Sequence, residues 1–296
     1  MGSGFKNIPR KRDQLAKGAA LGLALALLMT VSACIPDPLD VRGVHELEQK
    51  IVVSSQLIPG QAVAVLLTKS IGALDASDDS DPQALLDQIL IADASVRIDG
   101  NGQSYPLTYL GEGVYGATDV DLVIGQQYTL YVNSPGVGSV QAKTTVKPFV
   151  SFADVDAIVT FSGRDTLAQI TYTIDDAVGS NWYMVNAQHV KRESIEERIL
   201  NPRVTTKMLN DLSFEGGSTT DDFKILFDEV KPGDTLAVML SNIDKDYYDF
   251  MKLREDTRFG LAAAIGEPIN YPTNVEGGLG FFNLYVPDVR IITLDE

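Results

Sequence analysis

Residues 95–110 read SVRIDGNGQSYPLTYL and carry the clearest structural signal in the chain. Polar and hydrophobic residues alternate on both sides of a central turn, Asp99-Gly100-Asn101-Gly102. A period of two is typical of strands that bury one face, and Asn-Gly between two such runs is typical of a tight hairpin. The stretch therefore predicts a β-hairpin formed by residues 95–98 and 103–110.

Short segments of the same kind recur along most of the chain, separated by turns that contain glycine or proline. Many short strands at this spacing are typical of antiparallel β-sandwiches of the immunoglobulin-like type. The other predicted strands are residues 50–55, 62–69, 113–117, 127–133, 139–146, 155–161, 168–175, 182–190, 223–227, 236–241, 281–285 and 289–294. Helices are predicted over residues 82–92, where Pro82 suits a first helical position, and near residues 244–255.

The N-terminus has the features of a secretory signal. Residues 1–17 carry five basic side chains, and residues 18–29 are almost entirely Gly, Ala and Leu, too few to span a bilayer comfortably. Cys34 is the only cysteine in the chain, so it cannot form an internal disulfide. Val31-Ser32-Ala33-Cys34 resembles the bacterial lipobox, in which the cysteine is lipidated and becomes the new N-terminus; an ordinary signal peptide is the alternative.

Length and boundaries complete the fold prediction. Residues 34–296 are more than one hydrophobic core usually serves, and Lys147-Pro148 is a natural boundary because proline cannot donate to a strand ladder. We therefore predict a mainly β protein with two antiparallel immunoglobulin-like β-sandwich domains and a few short helices. The segments are a lipoprotein signal peptide (1–33), a lipidated tether (34–47), an N-terminal sandwich (48–148) and a C-terminal sandwich with the second helix (149–296).

Charge limits the possible partners. Removal of residues 1–33, which carry five basic residues and one acid, takes the formal charge from −16 to −20. Such an acidic chain is a poor match for nucleic acid, whose phosphates require basic patches, and for lying flat on anionic lipid. We expect no nucleic-acid partner and a membrane contact made through the lipid anchor.

The sequence contains no pattern typical of a catalytic or cofactor site. Its two histidines, His45 and His189, lack the partners of a hydrolytic triad or a zinc-protease helix, and no phosphate-binding glycine loop follows a strand. We therefore predict no enzyme activity, no cofactor and no metal site, with a hydrolase of unrecognised type as a weaker option. The acidic segment 75–81 leaves calcium open, since clustered carboxylates bind calcium but also suit the solvated start of a helix.

Aromatic residues in the second half are the main candidates for ligand or partner binding, because aromatic side chains are enriched at binding hot spots. Packing inside a sandwich core is the competing interpretation. Residues 274–280 contain three glycines and an asparagine, which indicates tight turns or a backbone that something approaches closely. The candidates are Trp182, Tyr183, Tyr247, Tyr248, Tyr271, Asn274 and Phe281.

Several of these segments together resemble a known family. The lipobox cysteine, Asn181-Trp182-Tyr183, the tyrosine-bearing segment 244–249 and residues 268–282, which read PINYPTNVEGGLGFF, are similar to Bacteroidota lipoproteins of the domain of unknown function 4249. The likeness covers nearly all of the chain after the signal, and residues 176–179 depart from it.

The resemblance implies an outer-membrane lipoprotein, often encoded beside TonB-dependent transporters, with no established enzyme activity. Asp37 and Asp40 resemble the acidic signal that sends such lipoproteins to the cell surface. The expected function is non-enzymatic: binding an unidentified substrate, or capping or assisting a TonB-dependent transporter in nutrient uptake. A structural or adhesive surface lipoprotein is the alternative.

Overall fold

The computed structural model describes residues 48–58, 62–71, 82–162, 165–190, 204–225, 231–258 and 270–295. Cys34, the tether and the acidic segment 75–81 lie outside the described residues. The predictions made for them stay predictions.

Within these residues the chain is mainly β, as predicted. The strands are β1 (Ile51–Ile58), β2 (Ala62–Lys69), β3 (Ser95–Gly100), β4 (Gln103–Gly111), β5 (Val114–Ala117), β6 (Gln127–Ser134), β7 (Gly138–Thr145), β8 (Phe152–Ser162), β9 (Asp165–Asp175), β10 (Trp182–His189), β11 (Val204–Asn210), β12 (Ser218–Ile225), β13 (Thr235–Ile243), β14 (Val275–Glu276), β15 (Leu279–Phe281) and β16 (Asp288–Thr293). The helices are α1 (Pro82–Ile89) and α2 (Lys245–Arg258), with a 3-10 turn at Asp211–Ser213.

The first sheet has nine strands in the order β14-β7-β6-β3-β4-β5-β2-β1-β15. Its neighbours are antiparallel except for β15, which pairs parallel with β1. Both outermost strands come from one short stretch, residues 275–281, in which only Gly277 and Gly278 separate β14 from β15. A single C-terminal segment, residues 275–281, therefore supplies both outermost strands of a sheet built from the N-terminal half.

The same stretch fills the core of that sheet. Val275, Phe282 and Leu284 are buried in one hydrophobic cluster with residues such as Val65 and Leu130 from the N-terminal strands. The first core thus contains residues from both sides of position 148. The structure does not test the predicted domain boundaries, which stay a prediction, but it shows that the C-terminal part contributes to the first core.

The second region contains a four-stranded sheet, β11-β10-β13-β16, and a three-stranded sheet, β12-β9-β8. Their inner faces share one buried cluster, with Tyr172 and Ile170 from one sheet against Val185 and Val238 from the other. At one side the two sheets are joined by a backbone hydrogen bond in which the Val159 amide donates to the Asp295 carbonyl over 3.0 Å. The immunoglobulin-like assignment stays a prediction.

The local predictions were the most accurate. The hairpin of β3 and β4 is confirmed, and Asn101 and Gly102 have φ values of 50° and 71°, the left-handed geometry that a two-residue hairpin turn requires. The strand predicted at residues 281–285 is wrong, because β15 ends at Phe281 and residues 281–284 are all buried instead of alternating. The strand β11 was not predicted at all.

Candidate functional site

A cavity of about 250 Å³ opens to solvent between the first sheet and the start of α2. Strand register explains how distant residues meet there. Trp182, the first residue of β10, pairs with Ile243 at the end of β13, which places the indole beside the first turn of α2. Val275 of β14 pairs with Ala142 of β7, which brings Asn274 beside Lys143. Four of the seven aromatic and amide candidates line this cavity: Trp182, Tyr247, Asn274 and Phe281.

One wall of the cavity is aromatic and belongs to a larger cluster. Phe281 is only 4% exposed, and its ring centroid lies 5.2 Å from that of Tyr247 and 4.9 Å from that of Phe250. Tyr247 and Phe250 are three residues apart on α2, so both reach the same side of the helix. Tyr271 and Tyr285 extend the cluster, at 5.7 Å from Phe250 and 5.9 Å from Tyr247. The cluster holds α2 against residues 271–285.

Two tyrosines of this cluster have raised pKa values. Burial raises the pKa of Tyr247 above its ordinary value. Burial also raises the pKa of Tyr285, well above its ordinary value, and the neighbouring Tyr247 adds to that rise. Both hydroxyl groups are therefore protonated near pH 7, in the neutral form that donates and accepts hydrogen bonds.

Five charged side chains line the rest of the cavity, and three of them are engaged in ion pairs. Lys147 Nζ lies 2.8 Å from Asp244 Oδ1, and Lys245 Nζ lies 2.5 Å from the carboxylate of Asp249, one turn along α2. The hydrogen bond to Asp249 raises the pKa of Lys245. The other two, Lys143 and Asp246, make no ion pair with any of the described residues.

The side-chain amide of Asn274 forms hydrogen bonds to backbone groups, which explains why an asparagine occupies this position. Its amide nitrogen donates to the carbonyls of Lys143, at 3.1 Å, and Phe282, at 2.8 Å, while its carbonyl oxygen accepts from the Phe282 amide at 2.9 Å. These bonds tie the end of β7 to the segment that follows β15. A ligand contact by Asn274 stays a prediction.

The other sequence candidates lie outside the cavity. Tyr183 is fully buried in the second core, where its hydroxyl donates to the carboxylate of Asp176 and accepts from the Ala177 amide over 3.3 Å. Burial, followed by the bond to Asp176, raises the pKa of Tyr183. Tyr248 accepts a hydrogen bond from Asn210 over 3.4 Å, so it contacts β11. Tyr271 is 38% exposed and belongs to the aromatic cluster, where its hydroxyl lies 3.0 Å from that of Thr257.

Sequence reasoning missed Phe250, Tyr285 and Lys143. The spacing of Phe250 from Tyr247 could have identified it, because side chains three apart on a helix are neighbours. No local pattern marks Lys143 or Tyr285, whose positions depend on pairing between distant strands.

Comparison with known proteins identifies the family. Residues 37–290 match the family described as Domain of unknown function (DUF4249). The chain belongs to this family. The match includes the first sheet, most of the second region and every residue that lines the cavity, so the cavity lies wholly within the DUF4249 part of the chain. No curated protein matches the sequence.

Two further observations concern the described part of this DUF4249 chain. It contains no group of three or more His, Cys, Asp or Glu side chains placed to hold a metal ion. None of its helices is long and apolar enough to cross a membrane.

Proposed function

We propose that this protein is a non-enzymatic lipoprotein of the outer membrane that faces the cell surface and binds a substrate for a TonB-dependent transporter, or caps or assists that transporter. Lipidation of Cys34 would provide the membrane anchor, and residues 34–47 the tether. The body would form two immunoglobulin-like sandwiches. The lipobox pattern, the acidic charge and the family resemblance support this location.

The single observation that carries the binding function is the cavity itself. It combines aromatic faces, ionic groups and a small volume, as ligand sites do. Strands and a helix from separate parts of the chain form its walls, so its shape is fixed by the fold. Trp182 is half-buried, and the ring of Tyr247 contacts those of Phe250, Phe281 and Tyr285.

Affinity purification would test the transporter contact. The tagged protein, extracted from outer membranes in mild detergent, is expected to bring down an outer-membrane barrel protein. A Cys34→Ser variant is the control, because loss of the anchor should remove the protein from the membrane and abolish the recovery. Repeated recovery of the anchored protein alone would contradict the proposal.

A second candidate function, adhesion, has its own observation. Val178 is 100% exposed and Leu212 is 83% exposed. Their loops are joined by hydrogen bonds from the Gly216 amide to Asp176, at 2.8 Å, and from the Asp176 amide to the Gly217 carbonyl, also at 2.8 Å. Two exposed aliphatic side chains on loops that are bonded to each other would suit a surface contact.

Cell attachment would distinguish the two functions. A strain that carries Val178→Ser and Leu212→Ser is expected to lose attachment but retain nutrient uptake if the protein is an adhesin. Unchanged attachment would remove this alternative.

A further inference from the structure

We propose that the cavity binds a small zwitterion with an apolar side chain, about the size of a free amino acid. Its carboxylate lies toward Lys143, its ammonium group toward Asp246, and its side chain against the rings of Trp182 and Phe281. This inference rests on the proposed function, since it names the class of substrate that the cavity takes.

The unpaired charges of the cavity carry the argument. Lys147 and Asp244 neutralise each other across 2.8 Å, and Lys245 is engaged by Asp249 outside the cavity lining. Among the described residues this leaves one exposed cation, Lys143, and one exposed anion, Asp246. A ligand with one charge of each sign satisfies both groups, whereas an ion of either sign satisfies one and is repelled by the other.

The charge of the whole chain favours the same conclusion. Its formal charge is −16, so a simple anion approaches against a negative field. The net charge does not oppose a simple cation. Within the cavity, however, a cation would be repelled by Lys143, which forms no ion pair with any described residue, whereas Lys147 and Lys245 are paired with carboxylates. A zwitterion has no net charge and still matches both free groups.

The size of the cavity limits the ligand. A volume of about 250 Å³ lies just below the range of about 300–1,000 Å³ that is typical of ligand pockets, so it suits a small ligand. An amino acid with an aliphatic side chain belongs to that small class. The buried ring of Phe281 and the half-buried indole of Trp182 offer an apolar surface to such a side chain.

The chain has a built-in reporter for this test. Trp182 is its only tryptophan, so the intrinsic tryptophan emission comes from the cavity alone. The full chain in mild detergent can be titrated with L-leucine, with N-acetyl-leucine, which lacks the cation, and with leucine amide, which lacks the anion. We expect a saturable change in emission with leucine, and binding at least about tenfold weaker for both derivatives, because each loses a charge-assisted hydrogen bond.

Matched variants assign the two charges. Lys143→Gln and Asp246→Asn are each expected to weaken leucine binding by about tenfold or more. Lys231→Gln and Asp156→Asn change exposed groups elsewhere and should bind leucine as the parent does. If one of the cavity variants fails to fold, the two leucine derivatives still test both charges on the parent chain.

Each contrary result has a clear meaning. N-acetyl-leucine binding as tightly as leucine would show a site for anions, and leucine amide binding as tightly would show a site for cations; either would overturn the inference. No saturable response to any of the three would overturn it too. Recovery of the transporter in the purification experiment is independent of these results, so failure of the inference is distinguishable from failure of the proposed function.

Discussion

At the scale of single residues, Asn274 shows why a site residue is hard to recognise from sequence. Its position in a glycine-rich segment suggested a ligand contact, but its amide is bonded to backbone groups of Lys143 and Phe282. The first of these partners is 131 positions away in the chain. No local pattern could have shown that bond, because it depends on which strand lies beside β14.

Asn274→Ala tests this structural role. It removes three hydrogen bonds to backbone groups, and we expect the free energy of unfolding to fall by about 2–3 kcal/mol. The measurement is urea unfolding followed by circular dichroism. Asn270→Ala, at an exposed position nearby, is the matched control and should change stability by less than about 0.5 kcal/mol. Equal midpoints for the two variants would contradict the role.

The buried tyrosines predict how stability depends on pH. The pKa of Tyr183 is raised above the ordinary value of 10.0, first by burial and then by the bond to Asp176. Above pH 10 the unfolded chain loses this proton while the folded chain keeps it, so stability is full below pH 10 and falls as the pH rises further.

Denaturant unfolding between pH 9 and pH 12 would measure that fall. Tyr183→Phe removes one titrating group, so the decline is expected to be shallower than in the parent by up to about 1.4 kcal/mol per pH unit. Its stability at pH 7 also drops, because the bonds to Asp176 and Ala177 are lost. The slope is the decisive quantity, and a slope unchanged from that of the parent would refute the prediction.

At the scale of secondary structure, the sequence predicted elements whose signals are local. The hairpin of β3 and β4 was found because Asn101-Gly102 determines its own turn. The bounds of β2 were predicted correctly because alternation alone marks them. Residues 281–285 failed the same test, because both alternate sets of side chains are buried: Phe282 and Leu284 lie in the first core, while Phe281 packs in the aromatic cluster on α2.

The geometry of residues 275–281, which form the two edge strands β14 and β15, explains the glycines that precede residues 281–285. Gly280 has a φ of 90°, and a Cβ added there would lie 2.0 Å from the carbonyl oxygen of Val53 in β1. The two interpretations of the glycine-rich sequence, tight turns and close approach of a backbone, are therefore both correct: Gly280 has a positive φ, and another backbone lies close to it. That backbone belongs to the protein's own first strand.

Gly280→Ala is expected to destabilise the protein by about 3 kcal/mol or more, because it combines left-handed strain with a clash against a paired strand. Gly125→Ala is the matched control: Gly125 has a φ of 78° but nothing within 4 Å of an added Cβ, so it should lose only about 1–2 kcal/mol. Thermal unfolding of both variants compares them directly. Similar losses of stability in the two variants would mean that β1 shifts to accommodate the added Cβ, and that the close contact between Gly280 and Val53 contributes little.

At the scale of the whole molecule, the two hydrophobic cores do not divide the chain at one point. Composition and Lys147-Pro148 suggested a boundary after residue 148, and the second core does begin at Val150. The first core, however, contains Val275, Phe282 and Leu284. Sequence alone could not reveal this, because most of the second region separates the returning segment from its partners in the chain.

A fragment of residues 48–148 tests the boundary. It lacks those three core residues and leaves β1 and β7 as open edges, so we expect no cooperative unfolding transition. Fusing residues 270–287 to it through a flexible linker is expected to restore one. A fragment that unfolds cooperatively without the addition would show that residues 48–148 are an independent domain.

The returning segment, residues 275–284, also determines when the molecule can finish folding. The Ser55 hydroxyl accepts a hydrogen bond from the Asn283 amide, across 228 positions. A nascent chain emerges N-terminus first, so the earliest strands must wait, with both borders unsatisfied, until almost the last residues have been made. Contacts of such long range slow folding, and the waiting edges are prone to aggregate. We therefore expect a holding chaperone that shields β1 and β7 during this interval to improve the yield of native protein.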